Sequence, residues 1–290
     1  MVQRVTTPMD ERMVDVDGGQ VCVETFGDPG SPTVLLVAGA GQSMVWWEVG
    51  FCARLAAAGR HVVRYDHRDT GRSTMSPVGR PAYSSTDLRT DPLAILDALE
   101  VDDAHLVGLS LGGGLVQEIG LRDPDRVRSL TLMSTSPVVD VGHALPPPIP
   151  ELAATFTAAE PEPDHDDRAA MVDYRVAIER PYAGRGGLDE PRVRHLAELD
   201  VDRAGGLASG LTNHVQAEDE PPPAVGLDAI AAPTLVVHGS DDPLFPVEHG
   251  RALAAAIPGA RLVVLPGVGH QQPPPRHWHR VVDALVDHTR

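Results

Sequence analysis

The sequence predicts an α/β architecture: a mostly parallel sheet of about eight strands, flanked by helices, with a helical insertion. Three observations carry this. Short apolar runs rich in β-branched residues alternate with stretches of helical period, the pattern of a parallel sheet covered on both faces. That alternation stops over residues 138–228 and resumes after them. The chain of 290 residues is long enough to bury a large core, and its 28 glycines and 27 prolines fall below the density that marks disorder.

Each element follows from its local chemistry. Residues 13–17 and 20–26 flank Asp17-Gly18-Gly19 and read as an opening hairpin. Residues 33–37 are a buried strand, followed by the loop Ala38-Gly39-Ala40-Gly41. A helix is expected over 46–58, ended by Gly59, and a strand over 61–65. Leu88, Pro92, Leu93, Leu96 and Leu99 give the stretch 85–99 one apolar helical face. A strand over 104–109, a turn at Ser110, a helix over 113–122 and a strand over 127–133 come next. Residues 138–228 carry Pro146-Pro147-Pro148, the acidic run 160–167 and Pro221-Pro222-Pro223, with helical stretches and no strong strand. The remainder is a strand over 234–238, a helix over 247–256, a strand over 261–265 and a helix over 277–288. The expected division is a core of residues 1–137 and 229–290 with a cap, or lid, of 138–228.

Charge and cysteine usage exclude several roles. The net charge of −17 repels phosphate backbones and anionic headgroups, so neither nucleic acid nor membrane is an expected partner. Every one of the 24 cationic residues is arginine, which bears on codon usage rather than chemistry. No apolar run is long enough to span a bilayer and residues 1–13 lack the apolar segment of a signal peptide, so a cytoplasmic location is expected. Cys22 and Cys52, far apart and without CxxC spacing, are expected to be small buried hydrophobes.

Gly108-Leu109-Ser110-Leu111-Gly112 matches G-x-S-x-G between a strand and a helix. So tight a turn leaves no room for a Cβ at 108 or 112. A serine hydroxyl is a weak nucleophile until a base takes its proton, and that base needs a carboxylate to orient it. Downstream, one strand ends in Gly239-Ser240-Asp241-Asp242-Pro243 and the next leads into Gly267-Val268-Gly269-His270, giving the order Ser, acid, His. Asp241 and Asp242 are adjacent, and only one can face His270. Ester chemistry also needs two backbone N–H donors for the oxyanion. Leu111 supplies one, and the 38–41 loop the other, with Ala40 favoured and Gly39 beside it. Gly41 is not followed by the lysine of a phosphate-binding loop.

With these motifs the chain resembles the α/β-hydrolase superfamily over nearly its whole length. The run from Val63 through Tyr65-Asp66-His67-Arg68 to Thr74 is most similar to the aclacinomycin methylesterase type of serine esterase. The resemblance implies an α/β-hydrolase fold with a helical cap and a cofactor-free Ser-His-Asp carboxylic ester hydrolase acting on a small-molecule ester. It also implies Asp242 as the acid, standing three residues after Gly239 and just before Pro243. Asp140, where a few members keep their acid, is not required. Many relatives have His-Gly where this chain has Ala38-Gly39, which keeps the backbone donor and removes a histidine that could brace the loop. The same triad can serve carbon-carbon bond hydrolysis, acyl transfer, perhydrolysis or a triad-retaining receptor. Ser110 at the elbow argues against dehalogenases and epoxide hydrolases, which carry Asp there.

Other residues have plainer readings. Asp66 and Arg68 suit a charged pair that pins loops. Trp46 and Trp47 follow the oxyanion loop closely enough for one of them to wall an acyl pocket, whereas aromatic residues that start a helix are usually core; Trp46 is the pocket candidate. His277 and His279 lack a third ligand in reach and suit a solvated helix face, so no metal is expected. The acidic run 160–167 suits an exposed, mobile loop better than a calcium site. The substrate is expected to be small to medium and fairly apolar, and the sequence is compatible with a monomer or a homodimer.

Overall fold

The computed structural model describes residues 11–156, 161–218, 221 and 223–290. Residues 1–10, Glu160 of the acidic run and Pro222 lie outside the described residues. Strands β1 (Arg12–Val16) and β2 (Gly19–Phe26) form the opening hairpin, and β3 (Thr33–Val37) leads through a turn to helix α1 (Val49–Ala57). Then follow β4 (His61–Tyr65), α2 (Ser85–Ala98), β5 (Ala104–Leu109), α3 (Leu111–Arg122) and β6 (Val127–Met133). Among the described residues, four α-helices come between β6 and β7: α4 (Pro150–Thr155), α5 (Arg168–Glu179), α6 (Glu190–Arg203) and α7 (Ala208–Gln216). The chain closes with β7 (Thr234–Gly239), α8 (Glu248–Ala256), β8 (Arg261–Leu265) and α9 (Trp278–His288).

The eight strands form one sheet in the order β1-β2-β4-β3-β5-β6-β7-β8. β2 runs antiparallel to both β1 and β4, and the remaining pairs are parallel. Alternate residues of each strand feed two cores. Leu35, Val37, Val63 and Leu106 pack with Ile95 and Leu96 of α2 and Val116 and Ile119 of α3. On the other face Val34, Leu36, Val62 and Val107 meet Phe51 and Leu55 of α1 and Val281 and Leu285 of α9. From β3 the chain proceeds to one side through β4 and to the other through β5. The crevice at the carboxyl ends of β3 and β5 is therefore the switch point at which such sheets bind ligands.

Two helix starts differ from the sequence expectation, each for a physical reason. The stretch expected as one helix over 46–58 divides into a 3₁₀ turn (Met44–Trp46) and α1. At the break the Met44 carbonyl accepts the Trp47 N–H (3.0 Å) of the 3₁₀ turn, and the Arg64 guanidinium, arriving from β4, bonds the carbonyls of Met44 and Trp47. Helix α3 starts at Leu111, directly after the turn residue, because Ser110 itself makes the whole change of direction.

Histidines buried in a neutral form tie this sheet together. His61 Nδ1 lies 3.1 Å from Thr33 Oγ1 across β4 and β3, and His105 Nδ1 lies 2.8 Å from Ser129 Oγ across β5 and β6. Burial lowers the pKa of His61, His67, His105, His214, His238 and His288, His105 to about 4 and His67 from 6.5 to about 3. Between those limits the unfolded chain binds protons that the folded chain refuses, so stability is full above pH 6.5 and falls on acidification. Each such proton contributes about 1.4 kcal/mol per pH unit. Urea midpoints are accordingly expected to drop between neutral pH and about pH 4, and an unchanged midpoint would contradict the neutral burial of these rings.

Candidate active site

Ser110 occupies the crevice at the end of β5 with φ 52° and ψ −116°, a strained backbone that its neighbours hold in place. Its N–H donates to the Met133 carbonyl (3.0 Å), and its carbonyl accepts from Thr135 Oγ1 (2.8 Å). A Cβ on Gly108 would come within 3.0 Å of the Gly112 and Gly113 backbone, and one on Gly112 equally close to the carbonyls of Val37 and Ala38. The glycines therefore allow the turn and the close approach of the β3 loop to it.

His270 Nε2 lies 2.9 Å from Ser110 Oγ, and its Nδ1 lies 2.9 Å from Asp242 Oδ2. The other carboxylate oxygen, Oδ1, accepts N–H bonds from Leu244 (2.9 Å) and Phe245 (2.8 Å). An ionised carboxylate only accepts, so Nδ1 carries the imidazole proton and Nε2 is left to accept from the serine hydroxyl. Burial works against the charge of Asp242. His270, through charge and hydrogen bond, together with His238 and the Phe245 amide, outweighs it and holds the carboxyl below its ordinary value. The His270 ring sits between Phe245 (5.4 Å) and Tyr182 (5.8 Å), and its backbone N–H donates to the Tyr182 carbonyl (2.9 Å).

Asp241 faces elsewhere. Its carboxylate accepts from Arg185 Nε (2.8 Å), Nη2 (3.0 Å) and backbone N–H (3.1 Å), and from Ser240 Oγ (2.8 Å). The hydrogen bond from Arg185 is the main reason that its carboxyl lies well below the usual range. Of the two adjacent acids, Asp242 is the one brought to His270. Arg185 and Tyr182 belong to the segment between α5 and α6, so the insertion lies against both loops that bear these residues.

The 38–41 loop closes the other side of the site. The Gly39 amide donates to Gln42 Oε1 (3.3 Å), which also accepts from Gln272 Nε2 (2.6 Å), and the Gly41 amide donates to His214 Nδ1 (3.0 Å). Among the described residues no acceptor is found for the Ala40 amide between them. The Leu111 amide, in the first turn of α3, has no intrahelical acceptor either. The loop lacks a histidine at position 38, yet His67 approaches from another direction and lies 3.1 Å from the Ala38 carbonyl. Sequence reasoning missed His67, His214, Gln42 and Gln272. Only His67 stood in a run that drew notice.

The remaining candidates have structural surroundings. Asp66 and Arg68 do not pair with each other, contrary to expectation. Asp66 accepts from the Met44 and Arg72 amides and from Arg203 Nε (2.8 Å), whereas Arg68 makes a two-pronged bond with Asp91 (2.8 and 2.7 Å). Trp46 is 3% exposed, packed among Val172, Val176, Val193 and Leu196 of the insertion. Its indole N–H donates to Asp200 (2.8 Å) and the Arg175 guanidinium lies 4.4 Å over its ring. These are core contacts. Trp47 stacks on Phe51 at 5.9 Å. Both cysteines are buried and free, with burial pushing each thiol up to about 12. Asp140 turns back on the Gly142 amide (2.8 Å). His279 is exposed beside Asp283 (3.1 Å), and no group of three or more metal-ligating side chains occurs among the described residues. Within the acidic run, Glu162 accepts from the Leu207 and Ala208 amides and Asp167 from the Ala170 amide, so both serve helix starts. Among the described residues no helix is long and apolar enough to cross a membrane.

Residues 32–272 match the family model described as the alpha/beta hydrolase fold. The chain belongs to that family. This α/β hydrolase is 34% identical to rhodomycin D methylesterase DauP of Streptomyces sp. (strain C5), over 97% of this chain and 99% of the other. To rhodomycin D methylesterase DnrP of Streptomyces peucetius it is 33% identical, with the same coverage. A crystal structure of a hydrolase from Pseudomonas aeruginosa PA01 superposes with a TM-score of 0.67 at 27% identity, covering 96% of each chain. The methylesterase relatives agree with the resemblance carried by residues 63–74.

Proposed function

We propose that this α/β hydrolase is a cofactor-free serine esterase that cleaves a carboxylic ester through an acyl-enzyme on Ser110. The observation that carries the reading is the unbroken chain from Asp242 Oδ2 through His270 to Ser110 Oγ, both links at 2.9 Å. In this reading His270 Nε2 takes the Ser110 proton as Oγ attacks the ester carbonyl carbon. The oxyanion that forms accepts from the Ala40 and Leu111 amides. The imidazolium then gives its proton to the departing alkoxide, which leaves as the alcohol. Water, deprotonated by the same nitrogen, attacks the acyl-enzyme; the bond from the acyl carbon to Ser110 Oγ breaks, the imidazolium returns its proton to Oγ, and the carboxylic acid leaves. The segment 138–228 acts as the cap and 1–137 with 229–290 as the core, supported by the contact of Tyr182 and Arg185 with the His270 and Asp242 loops. Both similar methylesterases take rhodomycin D by name. We therefore assign the substrate to methyl esters of polyketide-like compounds, small to medium and fairly apolar.

The test is turnover of aromatic polyketide methyl esters beside p-nitrophenyl esters of graded length. Release of methanol and free acid is expected, with kcat/KM falling at acid pH because a protonated His270 accepts no proton. Activity is expected to survive EDTA. Loss of turnover on chelation, restored by zinc, would overturn the serine mechanism, since a metal-bound water would then be the nucleophile.

A further inference from the structure

The loop that carries Ala40 is held on both flanks, and one of the holding groups comes from the insertion. Helix α7 brings His214 to the loop. Its Nδ1 accepts from the Gly41 amide (3.0 Å), and its Nε2–H donates to the Arg68 carbonyl (2.7 Å). Those two bonds fix both the tautomer and the orientation of the ring, and burial keeps it uncharged. The α7 backbone lies directly on the loop. A Cβ on Gly210 would meet Gly41 Cα at 3.3 Å, and one on Gly41 would meet Leu211 Cα at 3.2 Å. Because peptide units are planar, the Gly41 N–H bond to His214 fixes the Ala40–Gly41 plane, and the Gly39 N–H bond to Gln42 fixes the Ala38–Gly39 plane. The Ala40 amide belongs to the one plane between them, whose own carbonyl, that of Gly39, accepts from the Gln42 amide (3.3 Å), so this plane is held directly on its Gln42 side and through His214 on its Gly41 side.

We propose that His214 is a positioning residue for the oxyanion hole: through the Gly41 amide, helix α7 of the insertion holds the side of the Ala40 peptide that Gln42 does not. Docking of α7 thereby contributes to the competence of the oxyanion hole. The proposal rests on the serine-esterase reading, in which the Ala40 amide is an oxyanion donor. Loss of one such donor lowers kcat by about 10² to 10³. A donor turned from its line rather than deleted loses part of that, with KM nearly unchanged, because the oxyanion exists in the transition state and not in the bound ester.

Two near-isosteric variants separate the two ends of the ring. His214→Asn keeps an oxygen acceptor where Nδ1 stands, and His214→Gln keeps a donor toward Arg68 while losing the acceptor for Gly41. Each is measured for kcat, KM, thermal midpoint and affinity for an alkyl boronic acid. In that adduct Ser110 Oγ adds to boron, His270 takes its proton, and a hydroxyl of the anionic tetrahedral boronate occupies the oxyanion position. His214→Gln is expected to lose about tenfold or more in kcat and a similar factor in boronate affinity at unchanged KM, while His214→Asn stays within about threefold of wild type. Equal losses in both variants in step with lowered thermal midpoints, or no loss in His214→Gln, would overturn the proposal while leaving the serine mechanism standing. Failure of the wild-type protein to bind the boronate would overturn the mechanism itself, and the role of His214 with it.

Discussion

Ser110→Ala is expected to abolish ester turnover, by about 10⁶ in kcat where a full triad acts as a unit, and to leave the fold unchanged. Among the described residues the hydroxyl has one partner, His270 Nε2 at 2.9 Å, and no part in the core. Alanine at φ 52° carries the strain that serine already carries, because the cost comes from the Cβ and both residues have one. Far-ultraviolet circular dichroism and the thermal midpoint should therefore match wild type while product formation disappears. The variant also discriminates between chemistries that share the elbow. A water molecule activated directly by His270 would attack the ester without a covalent intermediate and would survive loss of the hydroxyl. Turnover within tenfold of wild type would exclude an acyl-enzyme on this residue.

How far the sequence disclosed this molecule depends on the range of the contacts involved. The sheet was legible because burial on both faces demands continuous apolar runs such as Thr33–Val37 and Ala104–Leu109, a local signal. The elbow was legible because a Cβ at 108 or 112 has no space, so glycine had to stand at both. The break in the helix expected over 46–58 was not, since the Arg64 guanidinium that bonds the Met44 and Trp47 carbonyls there comes from β4, and its place in that strand gives no hint of it. The bracing of the oxyanion loop was likewise hidden. His214 is 173 positions from Gly41 and Gln272 is 230 from Gln42, and neither residue stands in a motif. The absence of histidine at position 38 suggested a loop without a side-chain brace. His67 and His214 reach its backbone from a strand end and from the insertion, which local pattern cannot reveal.

Asp242→Asn is expected to lower kcat by about 10⁴, and Asp241→Asn by far less. An asparagine at 242 can turn its carbonyl oxygen toward the Leu244 and Phe245 amides and present its NH₂ to His270. The imidazole must then accept at Nδ1, so its proton moves to Nε2, the nitrogen that has to take the proton of Ser110. The ring keeps its place and loses its function as a base. Asp241 spends its carboxylate on Arg185 and Ser240, so its replacement loosens the segment between α5 and α6 without touching the imidazole. The pH profile distinguishes the two effects. Asp242 is held below the ordinary carboxylate value despite its burial, so in the wild type it is ionised through the neutral range and its stabilisation is lost only as pH falls through that lowered pKa. In Asp242→Asn the imidazolium loses its counter-charge, and kcat should recover in part at high pH, where hydroxide removes the serine proton instead. Asp241→Asn should keep the wild-type profile with a modest rise in KM from the loosened segment between α5 and α6. The reverse ranking of the two variants would move the acid to Asp241 and require the 240–242 loop to rearrange away from Arg185 during turnover.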